Sequence, residues 1–235
     1  MADSGISYTI TPADGTQLRY TLQLDGDTYR LQEPEDYTPP AWTRLGVEQC
    51  ANCPLQEAST PHCPTAANLA VVVADVGTLV SYEQAQLVVD FGDRQLTATT
   101  SVQQILSSLI GLLMASSACP HCIYLRPMAR FHHPLSGPLE TVYRAASMYL
   151  LAQYFVGKEG GTPDLTLDGL SRIYAELQLV NRGMAKRLRR ASREDGAINA
   201  VVLLDMLAKD VPVSIDESLQ ELQGLFAPYC TKGGG

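Results

Sequence analysis

Cys50-Ala51-Asn52-Cys53 and Cys119-Pro120-His121-Cys122 are two CxxC pairs in one chain, the residue set that a tetrahedral metal site needs. Two residues between cysteines let one tight turn aim both sulfurs at a single point. A zinc ion takes four such ligands at about 2.3 Å. Cys50, Cys53, Cys119 and Cys122 are therefore the expected ligands, with Cys63, His62 and His121 as competitors. The main rival set joins Cys50, Cys53 and Cys63 to one of Cys119 or Cys122. Four thiolates also hold iron–sulfur clusters, so such a cluster is the alternative to zinc, although the spacing departs from ferredoxin patterns. Residues 54–118 separate the pairs, which does not prevent a shared site, because loop-closure cost grows slowly with length. The opposing expectation is that each cysteine is a small apolar core residue and binds nothing.

The four residues Cys119–Cys122 also resemble the redox motif of periplasmic thiol oxidases in the thioredoxin superfamily. There the motif follows a strand and opens a helix, which lowers the first thiol's pKa. Here a helical pattern precedes it, and Pro127 interrupts any helix soon after it. A second informative stretch comes directly after. Arg126, Arg130, His132 and His133 sit within eight residues. Guanidinium groups pair with carboxylates and phosphates, and imidazole changes charge near neutral pH. These four are candidates for an anionic small ligand; otherwise the arginines pair with helix acids. Lys186, Arg187, Arg189, Arg190 and Arg193 end a helical pattern and read as a solvated helix end matched to the macrodipole. No Gly-rich phosphate loop, HExxH or Ser/His/Asp signature is present, so no catalytic residue is assigned and the reading leans away from an enzyme.

The elements that must carry these groups are legible from periodicity. Residues 6–32 alternate polar and apolar at a period of two around Asp14-Gly15 and Asp25-Gly26, predicting a three-strand meander. Residues 86–91 and 94–100 flank Gly92-Asp93 and predict a second hairpin, for an antiparallel sheet of about five strands. Pro54, Pro61 and Pro64 keep residues 50–64 out of a continuous helix. Residues 66–76 are nearly all apolar and fit either a helix or a buried strand. From Ser101 onward helices are predicted over 102–117, from Pro138 to about 159, over 167–191 and 197–208, and after a capping box at Ser214–Glu217. Trp42, the only tryptophan, is expected to anchor a loop. The fold class is thus α+β, a single domain over 1–235: a β-rich part with the first CxxC loop to residue 100, then a helical part with the second.

Hydrophobic residues make up 46% of the 235 and charged residues 18%, enough apolar mass for a core that forms without metal. The net charge of −8 argues against nucleic acid, whose phosphates need clustered cations. The longest apolar runs fall short of a membrane span, and the N-terminal residues carry no secretory pattern. A cytoplasmic location is expected, where six cysteines read as thiols or ligands rather than disulfides. Three function classes stay open. One is a non-enzymatic zinc protein whose site organises a binding or scaffold surface. Another is a metal- or thiol-dependent enzyme acting on a small anion. The last is a helical homo-oligomerisation module with buried thiols.

Cys50–Leu55 as CxxCPL, His62-Cys63-Pro64, Leu125–Pro134 and the run from Tyr143 to Phe155 together resemble an uncharacterised bacterial family, a domain of unknown function covering most of the chain. The resemblance implies a bacterial soluble protein. It implies no activity and no site residues.

Overall fold

In the computed structural model the described residues are 4–32, 37–76, 79–191 and 219–230. Period-two alternation puts Ile6, Tyr8 and Ile10 of β1 (Ser4–Pro12) and Tyr20, Leu22 and Leu24 of β2 (Leu18–Leu24) on one buried face. These strands pair antiparallel with Tyr8 opposite Tyr20, around a turn whose Gly15 has φ 82°, a conformation glycine takes without Cβ strain. β3 (Gln84–Asp90) and β4 (Gln95–Ser101) form the second hairpin around Gly92. β3 adds antiparallel to the free edge of β1, with Ile10 opposite Leu87, giving the order β2-β1-β3-β4.

The sheet has four strands, not about five. The expected third strand of the meander is reduced to an isolated bridge between Leu24 and Leu31. The cause is local. The Asp25 carboxylate accepts the backbone N–H groups of Asp27 (3.2 Å) and Thr28 (2.6 Å), and Tyr29 follows with φ 56°. This side-chain turn swings the chain away, and the Leu31 N–H donates to Ser116 O (3.1 Å), beyond the sheet.

The connection from sheet to helices is direct. Ser101 ends β4 and caps α2 (Val102–Ala115) by accepting the N–H of Gln104. α2 buries Ile105, Leu106, Leu109, Ile110, Leu112 and Leu113. The ambiguous apolar stretch is helical: α1 (Pro64–Val76) starts on a proline, which suits a first helical position because no N–H is lost there. α1 packs along α2, and Asn68 Nδ2 donates to Leu113 O (2.9 Å). After α2 come a 3-10 turn at Cys122–Leu125 and the short α3 (Arg126–Arg130). α4 (Pro138–Lys158) and α5 (Asp168–Ala191) come next and pack on each other. Their link is tied by Asp164, whose carboxylate accepts from Tyr149 Oη (2.8 Å) and the Gly169 N–H (2.7 Å). Trp42 packs against the core as a partly buried anchor. The helix expected over 197–208 and the capping box at 214–217 lie outside the described residues. Among the described residues no helix is long and apolar enough to cross a membrane.

Candidate metal centre and ligand cavity

Three segments far apart in sequence wall one thiol cluster. In the first, the Cys53 N–H donates to Cys50 O (3.0 Å), closing a tight turn, and the Cys63 N–H donates to Thr43 O (2.8 Å) just before Pro64 opens α1. In the second, the N–H groups of Cys122 and Ile123 both donate to Cys119 O (3.0 and 3.1 Å), and the Cys119 N–H donates to Ser117 Oγ (3.3 Å). α5 is the third. Val180 O lies 3.9 Å from Cys50 Sγ as its acceptor, and a Cβ on Gly183 would stand only 2.5 Å from that sulfur.

The two CxxC turns are tied to each other. His121 Nε2 lies 2.8 Å from Asn52 O, so the centre of one motif holds the centre of the other. Asn52 Nδ2 donates to Glu176 O and Oε2 (3.1 and 2.7 Å), and His121 Nδ1 is 3.7 Å from the same carboxylate. His121 is thereby engaged with backbone and acid. His62 is engaged too, its Nδ1 2.7 Å from Thr43 Oγ1. Both imidazoles thus support the loops around the sulfurs.

Cys50, Cys53, Cys63, Cys119 and Cys122 sit within electrostatic reach of one another. Burial pushes the Cys50 thiol up to about 12, with Cys63, Cys119 and Cys53 adding to the rise. Burial also raises Cys63. Cys119 is lowered chiefly because Cys122 hydrogen-bonds to it, and Cys122 is raised by the same bond and by its complete burial. That one hydrogen bond favours the deprotonated form of Cys119 and the protonated form of Cys122. The sixth cysteine, Cys230, is exposed. The five sulfurs are neighbours without converging: among the described residues no three Cys, His, Asp or Glu side chains stand where they would hold a metal ion.

Beside the thiols lies Arg187, 1% exposed. Its Nη1 donates to Trp42 O (2.9 Å) and Arg44 O (2.6 Å), and its Nη2 to Leu45 O (3.2 Å). Nε is buried without a partner. Burial lowers its pKa, and Cys63, Cys50 and Cys53 are the largest influences that raise it again. No carboxylate of the described residues is within ion-pair distance of it. The basic run is thus not uniformly solvated, as its composition suggests. Arg189 and Arg190 are exposed, and Arg190 lies 3.7 Å from Glu48. Arg187 stands one helical repeat after Val180 and Met184, both buried, and this i, i+4, i+7 register turns it inward. That spacing was the signal in the sequence.

The residues expected to bind an anion divide. His132 and His133 line a cavity of about 540 Å³ between α2, α3, α4 and α5; Arg126 and Arg130 are not in its wall, and Arg144 is. Arg130 instead stacks over the Tyr29 and Phe131 rings, 5.4 and 5.6 Å from their centroids. Arg126 lies near Arg30, with Nε and Nη2 buried and unpartnered. His132 Nε2 is 2.5 Å from Tyr8 Oη, which is 3.1 Å from Ser108 Oγ. The Leu135 N–H donates to that Ser108 oxygen (3.3 Å). A consistent relay has Ser108 donating to Tyr8, and Tyr8 donating to His132 Nε2, which leaves the imidazole proton on Nδ1.

Burial, then Arg144 and His133, hold His132 down to about 3. A group kept neutral in the fold but free to charge at about 6.5 when unfolded favours the folded state above pH 6.5. That stability drains away as pH falls from 6.5 toward 3. Between pH 7 and pH 5 the loss is about 2 kcal/mol. Chemical denaturation across that range checks it, and H132Q should remove this part of the slope. An imidazole NMR titration with a midpoint near 6 would contradict it.

A model of the family described as domain of unknown function (DUF6901) matches residues 6–227. No curated protein and no solved structure matches the chain.

Proposed function

Since the chain belongs to that family, whose description carries no activity, its function has to be read from its own residues, and we propose a non-catalytic metal-binding protein. In this reading Cys50, Cys53, Cys119 and Cys122 take one zinc ion, with Cys63 as the competitor for a place. The ion staples the loop after the sheet to the end of α2 and to α5, and so organises a binding or scaffold surface. The observation that carries it is Arg187, a fully buried cation with an orphaned Nε, no carboxylate of the described residues at ion-pair distance, and Cys63, Cys50 and Cys53 as stronger electrostatic neighbours than Glu48. A buried charge needs a counter-charge. Four thiolates around a divalent ion carry a net charge of about −2, which supplies it. Neutral thiols do not. Zinc would displace the protons that burial now holds on Cys50 and Cys122, and binding would draw the neighbouring sulfurs together. A cytoplasmic location fits a protein that uses reduced thiols.

Elemental analysis of protein purified without added metal tests this. One equivalent of zinc is expected, lost in a C50S/C119S variant. A brown iron–sulfur chromophore, or no metal, overturns it. One observation favours a second reading, dithiol redox chemistry: the Cys119 thiol is lowered by the Cys122 hydrogen bond. Metal-free protein that forms a reversible Cys119–Cys122 disulfide would select that reading.

A further inference from the structure

The cavity behind His132 is separate from the thiols, and its chemistry is polarised. Its body is apolar, from Leu112, Met114, Leu125, Met128, Leu135 and Leu177. Its polar end is built around Arg144. That guanidinium donates to Ser136 Oγ (3.2 Å), Met128 O (3.0 Å) and Phe131 O (2.9 Å). Arginine has five N–H donors, so two have no acceptor among the described residues. No carboxylate of the described residues lies within ion-pair distance of Arg144. Glu140 is the nearest acid that Arg144 senses, but its Oε2 accepts the Gly137 N–H (2.8 Å), and Glu140 is not in the wall. His132 and Tyr174 line the same cavity and interact electrostatically with Arg144, and burial keeps the Tyr174 hydroxyl protonated.

We infer that this cavity binds a small aliphatic monocarboxylate, its chain among the methionine and leucine side chains and its carboxylate at Arg144. Each part of the ligand class follows from the wall. The volume of about 540 Å³ suits a small molecule rather than a peptide. The apolar body selects a hydrocarbon. The polar end offers donors and one guanidinium, that of Arg144, so it matches a single negative charge. A dianionic phosphate would leave one charge buried without compensation, and an alkylammonium would meet Arg144 with like charge.

The probe is decanoate, titrated calorimetrically into the full-length protein below its micelle concentration, with decanol and decylammonium alongside. Saturable one-to-one binding of decanoate is expected, at least tenfold tighter than decanol, with no binding of decylammonium. Decanol equal to or tighter than decanoate, or decanoate failing to bind, overturns the inference. R144M should bring decanoate down to the affinity of decanol. Because Arg144 also secures two backbone carbonyls, M128W serves as a second variant. By filling the cavity it should abolish binding while leaving the far-UV circular dichroism unchanged. The wild-type comparison of the three ligands decides the matter even if both variants fail to fold. None of these outcomes depends on metal content, so the inference and the zinc reading fail separately.

Discussion

Replacing Arg187 with alanine is expected to cost about 2–4 kcal/mol of folding stability, because Trp42 O and Leu45 O lose their donor and Arg44 O loses one of two. Trp42 O, Arg44 O and Leu45 O belong to the loop that leads into the first CxxC turn. Trp42 O and Leu45 O then keep their desolvation cost, whereas Arg44 O retains the Val47 N–H (3.1 Å). Lysine keeps the charge but cannot span three carbonyls with a planar fork, so R187K should lose about 1–3 kcal/mol. Urea denaturation of the two variants measures both numbers. A loss under about 1 kcal/mol for R187A would mean that the carbonyls find other donors and that the buried cation holds little. On the zinc reading proposed above, the same variant should also weaken metal retention, since a buried positive charge beside the thiols is lost. That readout separates counter-charge from simple packing.

Gly183→Ala should also destabilise, against the usual trend for this substitution. In an exposed helix interior alanine gains about 1 kcal/mol over glycine. Here the added Cβ would lie 2.5 Å from Cys50 Sγ and 3.3 Å from Cys50 Cα. The sulfur can rotate, but the Cα is backbone, so the first CxxC loop has to retreat from α5. Overpacking of this kind costs about 1–3 kcal/mol. In a C50A background the sulfur is gone, and the penalty of G183A should shrink by about 0.5 kcal/mol or more, the signature of residues in direct contact. If G183A proves stabilising on its own, the close approach of α5 to the thiol loop is wrong.

Much of the scaffold is legible in the residues alone. Asp14-Gly15 and Gly92-Asp93 mark both hairpins, and Ser101, Pro138 and the apolar stripes delimit α2, α4 and α5, because turns, caps and periodicity are local physics. The third strand failed for a local reason as well: Asp25 offers its carboxylate to the next N–H groups, and a side-chain turn outcompeted the ladder. The site was legible by half. Paired CxxC spacing anticipates that residues 50–53 and 119–122 meet, and in the fold His121 reaches Asn52. Arg187 looked like a solvated helix end because the charge of a side chain is visible in a sequence while the face it occupies must be counted out. Nothing near Arg144 in the chain signals a ligand. His132 is kept neutral by burial beside Arg144 and is hydrogen-bonded by Tyr8, 124 residues away, and such a pairing has no sequence signature.

The order in which these pieces are made has a consequence during synthesis. Cys50 meets α5 across a separation of 130 residues, and His121 meets Asn52 across 69. A ribosome releases the five thiols well before it has made Gly183 and Arg187. At about 5–20 residues per second the gap between Cys122 and Arg187 lasts roughly 3–13 s. In that window the sulfurs face water and titrate near the ordinary value of about 8.5, open to oxidants and to stray soft metals. Docking of α5 covers Cys50, so Cys50 should react faster with thiol reagents in nascent chains truncated before residue 180 than in the finished fold.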